Sequence, residues 1–288
     1  MQTIVELKGV NGDVIHQAGP RAGQEGMYLA EDGMDGIMDP PIKVFWDDQM
    51  DTPGEVYTGY RYEAREVTLK VHVLSDDGVN NWWETRDTRY RKLFSPDKQA
   101  ELRIITGDGL RILYIRLVDN HKVNTRTDPR GRTLNTITTS VKAGDPFWHG
   151  KDNVHVEVLE AGDSTFNVVM ENATDQMAWP VWVIPESSRT TLPDYDFTED
   201  PPKPRAIRMP QLLEGESCVV QVDPRYKQVE AENGAPVLAR MNGKRLLNHL
   251  PPWTPPTQVP VTVEGATAGQ EVMLRIPRLY TTPWGLNG

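Results

Sequence analysis

The sequence predicts a mainly β protein in two domains, the first carrying one helix. Three observations point there. The chain has 288 residues, enough for one or two domains of about 100–200 residues with real hydrophobic cores. Its 23 prolines are uneven, seven in residues 1–150 and sixteen in 151–288. Proline is poor inside helices and central strands, so the second half must be short strands and turns. Finally, apolar and polar residues alternate repeatedly along the chain, whereas only one segment has a good helical pattern.

The elements follow in order. In residues 66–73, period two places Val67, Leu69, Val71 and Val73 on one buried face. Ser75-Asp76-Asp77-Gly78 then turns the chain. The helix candidate spans 81–94, with Asn80 or Asn81 as cap and Ser95-Pro96 as stop. Trp83, Arg86, Tyr90 and Phe94 fall near one face, with Arg89 and Lys92 outside it. Residues 102–105 and 111–118 flank Thr106-Gly107-Asp108-Gly109, which reads as a β-hairpin. Residues 134–141 alternate again. Strands, one helix, then more strands read as a β-barrel or sandwich with one covering helix. Glycines bracket Gly144-Asp145-Pro146-Phe147-Trp148-His149-Gly150, and the domains are expected at 1–148 and 149–288. In the second, short strands are expected at 154–159, 166–170, 181–184, 206–209, 218–222, 259–263 and 272–276, a sandwich pattern. Residues 191–203 are polar and proline-bearing and read as an exposed loop.

Composition excludes several functions. A net charge of −10 opposes whole-surface attraction to nucleic acid or anionic membrane. One cysteine forbids a disulfide within the chain and any cysteine-based metal cluster. Its apolar, strand-like setting makes Cys218 a buried packing thiol. Glu6 and Lys8 interrupt the N-terminus, so no signal core is read there, and synthesis in a cytoplasm without a standard export signal is expected. No stretch approaches the ~18 apolar residues of a membrane span.

Glycine-rich nucleotide loops, His-Glu-x-x-His and Gly-x-Ser-x-Gly are all missing. The six histidines lack ligand spacing, and Asp32-Gly33-Met34-Asp35-Gly36 does not fit a calcium loop. Among 41 acidic residues the sequence nominates no catalytic pair. No catalytic, cofactor-binding or metal residue is assigned. Of eight tryptophans, Trp253 among prolines is the candidate exposed platform for a saccharide.

Charge is more informative when split. Residues 1–60 carry 11 acidic and 3 basic side chains, residues 61–132 carry 11 and 15, and the remainder nets −6. The split suits a head-to-tail contact between copies, and such contacts close into rings. Asp32, Asp35, Asp47 and Asp48 are the candidate acidic side. Arg86, Arg89, Arg91 and Lys92 on the helix are the candidate basic side.

Several segments, taken in order, carry a resemblance. They are Gly23-Gln24-Glu25-Gly26-Met27-Tyr28-Leu29, Asp39-Pro40-Pro41-Ile42-Lys43, the strand from Arg65 to Val71, Trp83 to Leu93 with Phe94-Ser95-Pro96, and the strand pair ending Arg111 to Arg116. Gly144-Asp145-Pro146-Phe147-Trp148 follows. In the second half come Asn172-Ala173-Thr174, Trp179-Pro180-Val181-Trp182, Val222-Asp223-Pro224-Arg225, Leu250-Pro251-Pro252 and Pro283-Trp284-Gly285. In this order the chain resembles the distal tail proteins of long, flexible-tailed bacteriophages, close to the minor tail proteins of actinobacteriophages. One departure is Asn172-Ala173-Thr174, where many relatives have Asn-x-Gly.

The resemblance implies a non-enzymatic virion part at the tail tip. Its first domain would be a tail-tube-like β-barrel forming a hexameric ring between the tail-tube protein and the tail-tip hub. Its second would be a galectin-like β-sandwich projecting outward, as a platform for other minor tail proteins or a site for host surface saccharide. DNA would pass through the lumen without specific binding. No cofactor is implied.

Overall fold

The computed structural model describes residues 3–48, 53–74, 82–123, 125–126, 128–129 and 132–286. The chain forms two compact units, Met1–Gly150 with Tyr280–Gly285, and Lys151–Leu279. The segment Tyr280–Gly285 thus returns to the first unit, whereas the division at 148/149 had placed it in the second. The expected turn at residues 75–78 and the cap at Asn80 or Asn81 lie outside the described residues.

In the first unit the chain lays down β1 (Ile4–Lys8), β2 (Val14–Ala18), β3 (Met27–Asp35), β4 (Ile42–Asp48), β5 (Glu55–Tyr62) and β6 (Arg65–Leu74). Helix α1 (Trp82–Arg91) follows, then β7 (Ala100–Thr106), β8 (Gly109–Leu117), β9 (Lys122–Val123), β10 (Leu134–Ala143) and β11 (Trp148–His149). The main sheet runs β2-β1-β7-β8-β10-β6-β3. β6 and β10 pair antiparallel with Val67 opposite Val141 and Val71 opposite Ile137, so both apolar rows face one core. The hairpin around residues 106–109 forms as expected, with Thr106 opposite Gly109.

α1 ends at Arg91, short of the expected Phe94, because Lys92 and Leu93 tighten into a turn in which Leu93 N donates to Tyr90 O at 3.1 Å. Tyr90 and Phe94 nevertheless bury, as that face required, and Leu93 buries with them. The Tyr90 hydroxyl accepts from Thr139 Oγ1 at 3.2 Å, and His121 Nδ1 lies 2.8 Å from the same Oγ1. Burial, with Arg91 nearby, lowers the His121 pKa. Burial likewise lowers that of His249 in the second unit. The folded state therefore favours the neutral rings, and stability present above the unfolded pKa of about 6.5 is lost as pH falls. Thermal melts between pH 7.5 and 5 should show midpoints falling by a few degrees, with a shallower fall in His121→Asn.

The second unit contains β12 (Asn153–Val158), β13 (Gly162–Asn172), β14 (Val181–Ile184), β15 (Arg189–Pro193), β16 (Ala206–Arg208), β17 (Cys218–Gln221) and β18 (Val229–Ala231). Then come α2 (Val237–Arg240), β19 (Thr254–Ala266) and β20 (Glu271–Ile276); β21 (Leu279–Tyr280) returns Tyr280 to the first core. The sheets β12-β20-β14-β17-β18 and β13-β19-β15-β16 enclose one apolar core, a β-sandwich. Cys218 lies in that core, and burial pushes its thiol up to about 11.

Residues 191–203 correct the loop reading. They begin inside β15, and Leu192, Pro193 and Asp194 are buried. The Asp194 carboxylate accepts Leu247 N and Asn248 N, each at 3.0 Å, and pairs with Arg205. Burial raises its pKa despite that support. A polar residue placed to close backbone donors reads in sequence like a solvated one. The departing turn is also explained. Asn172 donates to Gln176 O at 2.7 Å and Pro251 O at 2.9 Å, and accepts from Thr174 Oγ1 at 2.7 Å. Thr174 thus contributes a bond that glycine could not, and Asn172-Ala173-Thr174 meets Leu250-Pro251-Pro252.

Candidate assembly site

Among the described residues β4 and β5 pair only with each other, apart from the main sheet. An isolated two-stranded hairpin is marginal in water, so this one needs an anchored root. Alternation places Ile42, Val44 and Trp46 on one face, opposite Tyr62, Tyr60 and Tyr57. Trp46 meets Tyr57 edge-on at 5.5 Å, and Tyr60 meets Tyr62 at 5.6 Å. Trp46, Tyr57 and Tyr60 are nonetheless 54%, 51% and 53% exposed. On the other face Lys43 and Arg61 lie over Phe45. Near the far end Asp48 stands opposite Glu55, beside Asp47. The result is an aromatic ribbon with an acidic tip. A contiguous apolar face left in solvent marks an interaction surface.

The root is held by Arg65, which is 1% exposed. Its Nε donates to Pro146 O at 2.9 Å and its terminal nitrogens donate to Ile37 O, Met38 O and, at 2.6 Å, Thr281 O. Burial brings its pKa down to about 10, so it stays charged at neutral pH, its charge met by carbonyl dipoles. Trp148 Nε1 also donates to Ile37 O at 3.0 Å, and Phe147 packs edge-on to Tyr62 at 5.1 Å. The Gly144-to-Trp148 motif is therefore the clasp that fixes where the hairpin leaves the sheet. Gly36 belongs to the same root: at φ 77°, a Cβ there would sit 2.1 Å from Glu66 O. Arg111 holds the returning tail, stacking on Tyr280 at 3.5 Å and donating to Thr282 O at 2.8 Å.

The candidate charged residues are distributed unevenly. Asp32 pairs with Lys70, which lowers its pKa, and Asp35 accepts the Gly36 N–H at 2.9 Å. Arg86 donates to Leu74 O at 2.5 Å and its guanidinium covers Gly26. Arg89 pairs with Asp13 at 3.5 Å and Arg91 with Asp87 at 2.8 Å. Among the described residues no ion pair joins the two candidate groups within the chain, and Asp47, Asp48 and Lys92 have no ion-pair partner. Trp253 is 47% exposed with φ 60°. A cavity of about 320 Å³ in the same unit is lined instead by residues including Trp179, Tyr226 and Gln228. Among the described residues no group of three or more His, Cys, Asp or Glu could hold a metal ion, and no helix is long and apolar enough to cross a membrane.

In the sequence, residues 42–62 stand out through Ile42-Lys43 of the resembling segment, Trp46 among the tryptophans and the acids Asp47 and Asp48, with no strand expected there. The missed signal was two β-prone runs, Ile42-Lys43-Val44-Phe45-Trp46 and Val56-Tyr57-Thr58-Gly59-Tyr60, around Pro53-Gly54.

The fold is that of phage distal tail proteins. The SPP1 Dit protein superposes with a TM-score of 0.62 at 12% identity, covering 97% of this chain and 99% of that one. A chain of the phage P2 baseplate in its activated conformation gives 0.51 at 10% identity, covering 96% and 98%. Sequence carries the assignment further. "Minor tail protein Gp27" of Mycobacterium phage D29 and its namesake in phage L5 are each 32% identical, over 99% of this chain and 98% of theirs. No family model matches the chain. The chain belongs to the mycobacteriophage minor tail protein Gp27 family: it is a phage tail protein, and so a virion component.

Proposed function

We propose that the protein is a non-enzymatic tail-tip component that forms a hexameric ring joining the tail-tube protein to the tail-tip hub. The observation that carries this reading is the β4–β5 hairpin, an aromatic face fixed by a buried clasp and exposed at Trp46, Tyr57 and Tyr60. Heterologous contacts of one such arm with the next copy close into a ring. Asp47 and Asp48 near its far end, without an ion-pair partner among the described residues, suit a basic neighbour. Arg86, Arg89 and Arg91 are already engaged within the chain, which leaves Lys92 as the free cation of the helix group among the described residues. The first unit then acts as the tail-tube-like ring domain. The second, read as galectin-like, is a platform for other minor tail proteins and for contact with the host surface. A net charge of −10 suits a lumen that DNA must traverse without adhering.

Immunogold labelling of intact particles with antibody to this chain tests the placement. Gold at the distal end of the tail is expected. Gold along the tube or at the head–tail junction would refute it.

A further inference from the structure

A second unpartnered surface lies in the sandwich unit, at β12. This strand is the edge of its sheet and pairs only with β20. Its polarity is inverted. Val154, Val156 and Val158 are 49%, 45% and 59% exposed, while His155 and Glu157 lie on the other face, level with the core residues Leu274 and Val272, their side chains 38% and 40% exposed at the edge. The valines continue into an apolar row over the outer face: Val156 stands beside Met273, Met273 beside Val183, and Val183 beside Val219.

The backbone points the same way. Leu159 N donates to Gln270 O at 2.8 Å, which sets the phase of the ladder. Antiparallel alternation then gives β20 the backbone groups of Asn153, His155 and Glu157. Those of Val154, Val156 and Val158 face the open edge. Natural edges are blunted by outward charges, proline, bulges or inward-pointing charges, and of these β12 carries only the inward Glu157.

We infer that β12 pairs antiparallel with β12 of a second copy about a twofold axis centred on Val156. The sequence is self-complementary in that register. Val154 falls opposite Val158 of the second copy, and Val156 opposite itself, so the open backbone groups meet in phase. On the other face His155 falls opposite Glu157 of the second copy, twice per pair. Within one chain His155 Nε2 is buried and has no hydrogen-bond partner, the nearest Glu157 oxygen being 3.7 Å away. The cross-strand carboxylate supplies one. A twofold contact cannot operate between neighbours within a sixfold ring. The pair is therefore a state of the chain before incorporation, and it stands independently of the ring reading.

Sedimentation equilibrium of the full chain over a concentration series, at about pH 7, tests the pairing. A monomer–dimer equilibrium is expected. His155→Glu places like charges opposite each other twice and should raise the dimer dissociation constant about tenfold. The exchange His155→Glu with Glu157→His restores the facing pairs and should return it to within about threefold of the original. Val156→Lys should abolish the dimer, with melting curves verifying the fold of each variant. A monomer at every concentration overturns the inference. So does a dimer equally weakened by the single variant and the exchange, because only antiparallel self-pairing makes the exchange neutral. A sixfold particle indifferent to all three changes overturns it too, while leaving the ring intact.

Discussion

Arg65→Met should destabilise the first unit by about 3–5 kcal/mol, the range expected when a buried charged partner is removed from its network. The methionine stem fills much of the space the guanidinium leaves. It returns no hydrogen bond to Pro146 O, Ile37 O, Met38 O or Thr281 O, and each buried acceptor left bare costs about 1–3 kcal/mol. Partial relaxation keeps the total below the sum. Arg65→Lys recovers little, since one ammonium cannot span acceptors on three separate segments. A melting midpoint lowered by about 10 °C is expected for the methionine variant. A shift under about 2 °C would mean that the carbonyl cluster does not depend on Arg65.

Trp46→Ala combined with Tyr57→Ala should do the opposite: it should abolish assembly and leave the monomer intact. Both rings are more than half exposed, so their loss removes little buried area from the folded chain. At an interface such aromatic anchors contribute about 2 kcal/mol or more each, so with both removed the apparent assembly affinity should fall about a thousandfold. Mixing the variant with wild type and scoring incorporation into particles measures this. Wild-type incorporation with an unchanged melt would show that the ribbon is not an interface.

What the sequence disclosed depended on whether burial was one-sided. β6 and β10 were legible because one face meets the core and the other meets solvent, which is the condition that writes period two into a strand. The β4–β5 hairpin is exposed on both faces, so no such contrast marks it, and its acids drew attention away from Trp46 and Tyr57. Arg65 was in principle visible. It falls in phase with Val67, Leu69, Val71 and Val73, and a charged residue in a core phase asks for a buried partner. The strand β15 was hidden by Asp194, whose carboxylate closes backbone donors rather than facing water. Of the candidate ionic contact, the pairing of Arg91 with Asp87 could have been anticipated from their four-residue spacing on a helix. Arg89 with Asp13 could not, since it joins distant segments.

The inverted strand β12 and the aromatic hairpin share a logic. Each carries apolar residues that its own unit leaves exposed. They differ in symmetry: the hairpin suits a head-to-tail contact, the valine edge a twofold one.

A cryo-electron microscopy reconstruction of the tail tip, in particles carrying this chain, tests the central claim most directly. A sixfold ring around the lumen is expected, with Trp46, Tyr57 and Tyr60 of each copy covered by the next. A tip with the chain in another symmetry, or a ring in which the hairpins stand free in solvent, would contradict it.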